Sequence, residues 1–113
     1  METRPVSAAF KAIRKACAVR AEGSCEACGV WVGLQAEEGH ADHFSGRGAG
    51  RPEAAVSNVW ILCPPCDVAK TESKPNAAHW LQKFIAHCDR HGYAAEAERA
   101  GARLLVLKAK GRA

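Results

Sequence analysis

The chain has 113 residues, a length that fits one domain. Hydrophobic residues make up 48%, but large ones are few, with three Trp, three Phe, one Tyr and one Met, so apolar packing alone gives a thin core and a further staple is expected. The formal net charge of +4 permits a polyanionic partner without demanding one, and no apolar run approaches the ~20 residues of a membrane span.

Met1 to Arg20 is basic and lacks the apolar segment of a secretory signal, so a cytoplasmic location is expected. Residues 7–22 read as an amphipathic helix, with Ser7 as N-cap and Gly23 as terminator. Phe10, Ile13, Cys17 and Ala21 form its apolar stripe. Lys11, Arg14, Lys15 and Arg20 lie mostly off that stripe and read as a solvated face, with contact to DNA phosphates as the alternative.

Six cysteines follow from there: Cys17, Cys25, Cys28, Cys63, Cys66 and Cys88. An even count fits disulfides in a secreted protein, but two Cys-x-x-Cys pairs are the signature of a zinc knuckle in a reducing compartment. Cys25, Cys28, Cys63 and Cys66 are therefore assigned to one structural Zn²⁺, while Cys17 and Cys88 fall on apolar helix faces as buried thiols. Four thiolates and one Zn²⁺ lower the net charge to about +2.

Val30 to Leu34 is a short strand candidate, leading into Gly39-His40-Ala41-Asp42-His43-Phe44. Residues 45–55 hold three glycines and a proline, which forbid a regular element. Arg47 and Arg51 in that loop suit phosphate contact, and a plain surface loop suits the same composition. Asn58 to Leu62 is rich in strand formers and runs into Cys63-Pro64-Pro65-Cys66. The gap between the two pairs exceeds the ~15–20 residues of a compact zinc finger, so it can hold a functional hairpin.

Asp67 to Glu72 reads as a short helix leaving the second pair. From Pro75, Trp80, Leu81, Phe84, Ile85 and Cys88 give the strongest helical period in the chain, closed by Gly92. His79, His87 and His91 on it read as solvated or capping residues. Residues 93–109 form a last helix, with Leu104 to Leu107 open to a strand reading. There is no internal repeat and no linker, so 1–113 is taken as one domain.

A closed Cys₄ site performs no chemistry. The chemistry falls to Asp42, His43 and Asp67. Asp67 follows the last cysteine and sits in the first turn of a helix that faces the strand carrying Asp42. Two carboxylates so placed can hold one hard divalent ion with open water positions. An imidazole beside them is a suitable base for activating water. His40 shares the strand face of Asp42, and its role is left open between a contact near the metal and a surface histidine.

The order Cys-x-x-Cys, Asp42-His43, Asn58, then Leu62-Cys63-x-x-Cys66-Asp67-x-x-Lys70 resembles the HNH endonuclease family, the ββα-metal or His-Me finger nucleases. The likeness runs from Cys25 to Lys70 and is similar to the zinc-stapled endonuclease VII type of phage enzyme. It implies an α+β fold: a zinc-stapled ββα-metal motif in 25–72, flanked by helices at 7–22 and 75–109. It implies His43 as general base and Asn58 as the residue that fixes the hairpin loop. It also implies a catalytic Mg²⁺, Mn²⁺ or Ni²⁺ on Asp42 and Asp67. The family usually has histidine where this chain has Asp67, and asparagine occurs there in the endonuclease VII type. The expected activity is hydrolysis of DNA phosphodiester bonds, with Arg47, Arg51 and Lys70 gripping phosphates. DNA is the expected partner, and analogy adds a phage or prophage context with packaging or recombination proteins. Cutting both strands calls for a homodimer, for which the helices around Trp80 and Leu104 are the candidate surface. The alternative reading is a non-catalytic zinc-stapled DNA-binding module.

Overall fold

The computed structural model describes residues 8–44, 56–72 and 77–111. Within them the chain is α+β, with helices α1 (Ala8–Ala21), α2 (Pro64–Glu72), α3 (Ala77–His91) and α4 (Ala94–Ala109) and strands β1 (His40–His43) and β2 (Val59–Leu62). A 3-10 turn, Val56–Asn58, leads into β2. Ser7, Pro75 and the arginine-bearing loop with Arg47 and Arg51 lie outside the described residues.

The sheet is one antiparallel pair, with His40 opposite Leu62, Ala41 opposite Ile61, Asp42 opposite Trp60 and His43 opposite Val59. The ladder continues where the Phe44 N–H donates to the Asn58 carbonyl at 2.9 Å. β2 does not alternate between buried and exposed, because all four of its residues are buried. Helix α1 packs against β2, α2 packs against both strands, and α3 pairs with α4. The fully buried Trp60 sits at the centre, with ring contacts to Phe84 at 5.2 Å, Phe44 at 5.8 Å and Trp80 at 6.5 Å. Fully burying a side chain of this class stabilises the fold by about 1.5–3 kcal/mol. Trp80 is thus spent inside its own chain. On α4, Leu104 is partly exposed and Leu105 and Val106 are exposed.

Among the described residues the outer edge of β2 is closed by the Glu26 backbone and by side chains, with no third strand. The Glu26 N–H donates to the Ile61 carbonyl at 2.7 Å, and the Ile61 N–H donates back to Glu26 Oε1 at 2.9 Å. The Val59 carbonyl accepts from Arg20 at 2.7 Å and from the Cys17 thiol at 3.6 Å. An unpaired strand edge is an aggregation template, and these contacts consume it. They also correct two sequence expectations. Arg20 is not on a solvated face, because it is bonded inward to Glu26, Val56, Val59 and Tyr93. Arg14 likewise turns inward and donates to the Ala36 and Gly39 carbonyls.

Val30 to Leu34 is not a strand. Among the described residues only the Ser24–Trp31 bridge forms there, since Gly33 at φ 97 turns the chain and Trp31 remains exposed. The helix-ending Gly23 is required by both backbone and space: its φ is 87, and a Cβ there would strike the Trp31 ring. Helix α2 starts earlier than expected, inside the second pair at Pro64. Proline loses nothing in a first turn, where the N–H would have no helical partner. Residues 104–107 are helical within α4, so the strand alternative is not realised.

Candidate functional site

The two Cys-x-x-Cys turns converge. Sγ atoms of Cys25, Cys28, Cys63 and Cys66 all lie within 4.8 Å of one another. Cys28 and Cys63 are 3.8 Å apart, the edge of a tetrahedron with ~2.3 Å Zn–S bonds and nearly twice a ~2.05 Å disulfide. All six cysteines are free thiols, so the disulfide alternative falls. The first turn is closed by the Gly29 N–H donating to the Cys25 carbonyl, while the Ala27 and Cys28 N–H groups point at Cys25 Sγ. Burial works against the Cys25 thiolate. Backbone N–H donors from Cys63, Cys28 and Ala27 outweigh it and hold the thiol at about 7. Burial, then hydrogen bonds from Cys63 and Cys28, push the Cys66 thiol up. This donor set is compatible with a structural zinc ion, whose charge removes the repulsion among the thiolates.

Cys66 lies in the first turn of α2, so the same helix carries Asp67 and Lys70 from the cluster to the face of β1. His40 Nδ1 is 2.7 Å from Asp67 Oδ2, at an open position where the side chains are 52% and 29% exposed. Lys70 Nζ is 3.0 Å from Asp42 Oδ2, and the same oxygen accepts the Trp60 indole N–H at 3.0 Å. The period of two in a strand explains this grouping: His40 and Asp42 face α2, whereas His43 faces α1. The His43 ring stacks on Phe10 with centroids 5.2 Å apart. Asn58 is buried at the mouth of the hairpin, where its carbonyl holds Phe44.

The structure therefore brings Asp42, Asp67, His40 and Lys70 onto one strand–helix face, with His43 at its end on the other side. Lys70 is engaged inside the fold by Asp42 and lies 5.3 Å from the Phe44 ring centre. Arg103 of α4 stands over the same ring at 5.9 Å, and a groove lined by Phe44, Lys70, Trp80 and Arg103 runs beside it. Arg103 had no local signal in the sequence, since only the packing of α4 on α3 delivers it. Asp42 and Asp67 belong to neither group of three or more metal-binding side chains found among the described residues.

The second of those groups is Glu26, His87 and His91. His87 overturns the expectation of a solvated histidine. It is fully buried, and burial, then the positive charges of Arg20, His91 and Arg90, depress it to about 3. His79 is exposed as expected, with its ring against Trp80. Cys17 and Cys88 are both buried, and burial, followed by the charges of Glu96 and Asp89, pushes Cys88 up to about 12. Among the described residues no helix is long and apolar enough to cross a membrane. The chain matches no protein-family model, no curated protein and no solved structure.

Proposed function

We propose that this chain is a metal-dependent endonuclease of HNH type, hydrolysing DNA phosphodiester bonds on the face between β1 and α2. The observation that supports this most is that α2, leaving the Cys₄ cluster, lays Asp67 and Lys70 against His40 and Asp42 of β1. Carboxylate oxygens with a nearby imidazole suit a hard or borderline divalent ion. Lys70 now neutralises Asp42, so an ion bound there would take the place of that ammonium. Asp42 and Asp67 would hold the ion, which would supply charge stabilisation at phosphorus and at the leaving oxygen.

The remaining work belongs to the chain. His43, next to Asp42 at the end of β1, would take the proton from a water that reaches the strand end beyond the β1–α2 face. Phe10 fixes its ring plane, and Asn58 fixes the hairpin mouth next to it. Lys70 and Arg103 beside it would hold the phosphate backbone, together with Arg47 and Arg51. The Cys₄ cluster keeps the base of the hairpin and the start of α2 in register.

One observation favours a second assignment of the base. His40 Nδ1 is held by the Asp67 carboxylate on a half-exposed side chain, an arrangement that orients an imidazole for proton abstraction. The test of both is cleavage of supercoiled plasmid with Mg²⁺, Mn²⁺ or Ni²⁺ by wild type, His43→Ala and His40→Ala. Metal-dependent nicking that falls most in His43→Ala supports the first assignment, and a larger loss in His40→Ala moves the base to His40. Binding without cleavage in every metal sinks the enzyme reading and leaves a zinc-stapled DNA-binding module.

A further inference from the structure

Neither the Cys₄ cluster nor the β1–α2 face uses Glu26, His87 and His91. His87 and His91 are four residues apart on α3, a spacing that puts both rings on one face. Glu26 arrives from the first Cys-x-x-Cys turn, and the three side chains bring donor atoms within 4.8 Å of one another. We propose that Glu26 Oε2, His87 Nδ1 and His91 Nε2 form a second metal site, separate from the Cys₄ cluster, for a borderline divalent ion such as Zn²⁺, Co²⁺ or Ni²⁺.

Distance carries the first part of the argument. Glu26 Oε2 lies 3.7 Å from His87 Nδ1 and 3.6 Å from His91 Nε2. Both exceed a good hydrogen bond. Both approach the ~3.4 Å edge of a tetrahedron with ~2.1 Å bonds to nitrogen and oxygen. The second part is independent of it. Both ring nitrogens of His87 are buried and have no hydrogen-bond partner among the described residues. Buried polar atoms normally have one, and a metal bond satisfies Nδ1.

The carboxylate is already aimed. Arg20 donates to both of its oxygens, at 2.6 Å to Oε1 and 2.7 Å to Oε2, and the Ile61 N–H adds a bond to Oε1 alone. Oε2 is the less committed oxygen, and it is the one that faces the two rings. A ligand carboxylate fixed by outer hydrogen bonds in this way is a regular feature of metal sites. Entry is open at the rim, since the His91 side chain is 27% exposed and borders a cavity lined by Arg20, Ser24, Glu26 and Arg90. The two guanidiniums oppose a cation, so this site fills after the four-thiolate cluster and empties before it.

The proposal does not rest on the nuclease reading, and its test removes that site. Full-length Asp67→Ala chain is stripped of loosely held metal and titrated with Co²⁺. Bound metal is counted by elemental analysis, and the absorption bands of thiolate ligation are followed separately from those of nitrogen and oxygen ligation. Two ions per chain are expected. His91→Asn, altering a ring at the rim, should weaken the second equivalent at least tenfold with the thiolate bands unchanged. Saturation at one ion in the Asp67→Ala chain overturns the proposal before His91 is changed. Two ions of unchanged affinity in His91→Asn overturn it equally.

Discussion

The Cys₄ cluster and the Asp42–Asp67 face are joined by one helical turn, yet they solve opposite problems. In the cluster, four donors are gathered at tetrahedral spacing. On the neighbouring face, each carboxylate already has a protein partner, Lys70 and Trp60 for Asp42 and His40 for Asp67. The first arrangement is closed and suits a permanent ion. The second is open at His40 and Asp67, and its charges can be exchanged. A stability device needs donors fixed in advance, whereas under the proposed function the second face needs donors that an incoming ion or phosphate can take over.

Loss of a cluster ligand is the most damaging change. Cys63→Ser removes one thiolate and, with it, most of a zinc-binding contribution on the order of 10 kcal/mol, which exceeds the stability of a domain this size. Circular dichroism should show a chain without a cooperative melt. Asp67→Ala should keep a melting temperature within a few degrees of wild type and retain the thiolate-bound zinc while losing cleavage. Loss of that zinc would merge the two regions into one site.

Arg20→Met probes the edge closure between the regions. The Arg20–Glu26 pair is nearly buried, with side-chain exposures of 11% and 4%. Removing one partner leaves a buried charge behind, at a cost of about 3–5 kcal/mol measured by urea denaturation. A change below about 1 kcal/mol would mean that water reaches Glu26 readily. Lys70→Ala is milder, costing up to about 1 kcal/mol as a loss of one partly exposed pair. Its informative effect is on metal dependence: with the competing ammonium gone, half-maximal cleavage should need less divalent metal, even as affinity for DNA falls. The smallest signal is chemical. Cys17 and Cys88 are sealed in the core, and burial raises both thiols. At pH 8 the folded, zinc-loaded chain should leave both unlabelled by iodoacetamide, with labelling appearing in urea.

What the sequence disclosed follows from the range of each interaction. The Cys-x-x-Cys turns, the helical period of α3 and the strand formers of β2 are local patterns, and all were readable. Asp67 was legible because its place is set by adjacency to Cys66. Its partner was not, since His40 meets Asp67 only once the hairpin and α2 are packed. Arg20, Glu26 and His87 were hidden for the same reason. Arg20 and Glu26 look like surface residues until β2 is seen to need its edge covered, and nothing in their spacing announces that need; His87 is buried only once α3 packs on Trp60. Val30 to Leu34 failed for a different cause: among the described residues its strand formers have no neighbouring strand to pair with, apart from the Ser24 bridge.

The proposed function puts a hydrolytic site on the hairpin and α2 with His43 at its end. It is tested most directly by measuring, on one folded and zinc-loaded preparation, both DNA affinity and plasmid cleavage rate for wild type and His43→Ala. The account predicts an affinity within about twofold and a cleavage rate lowered by about 10²–10⁴, the usual contribution of a general base. Equal cleavage by the two proteins, or none by wild type in any divalent metal, would contradict it.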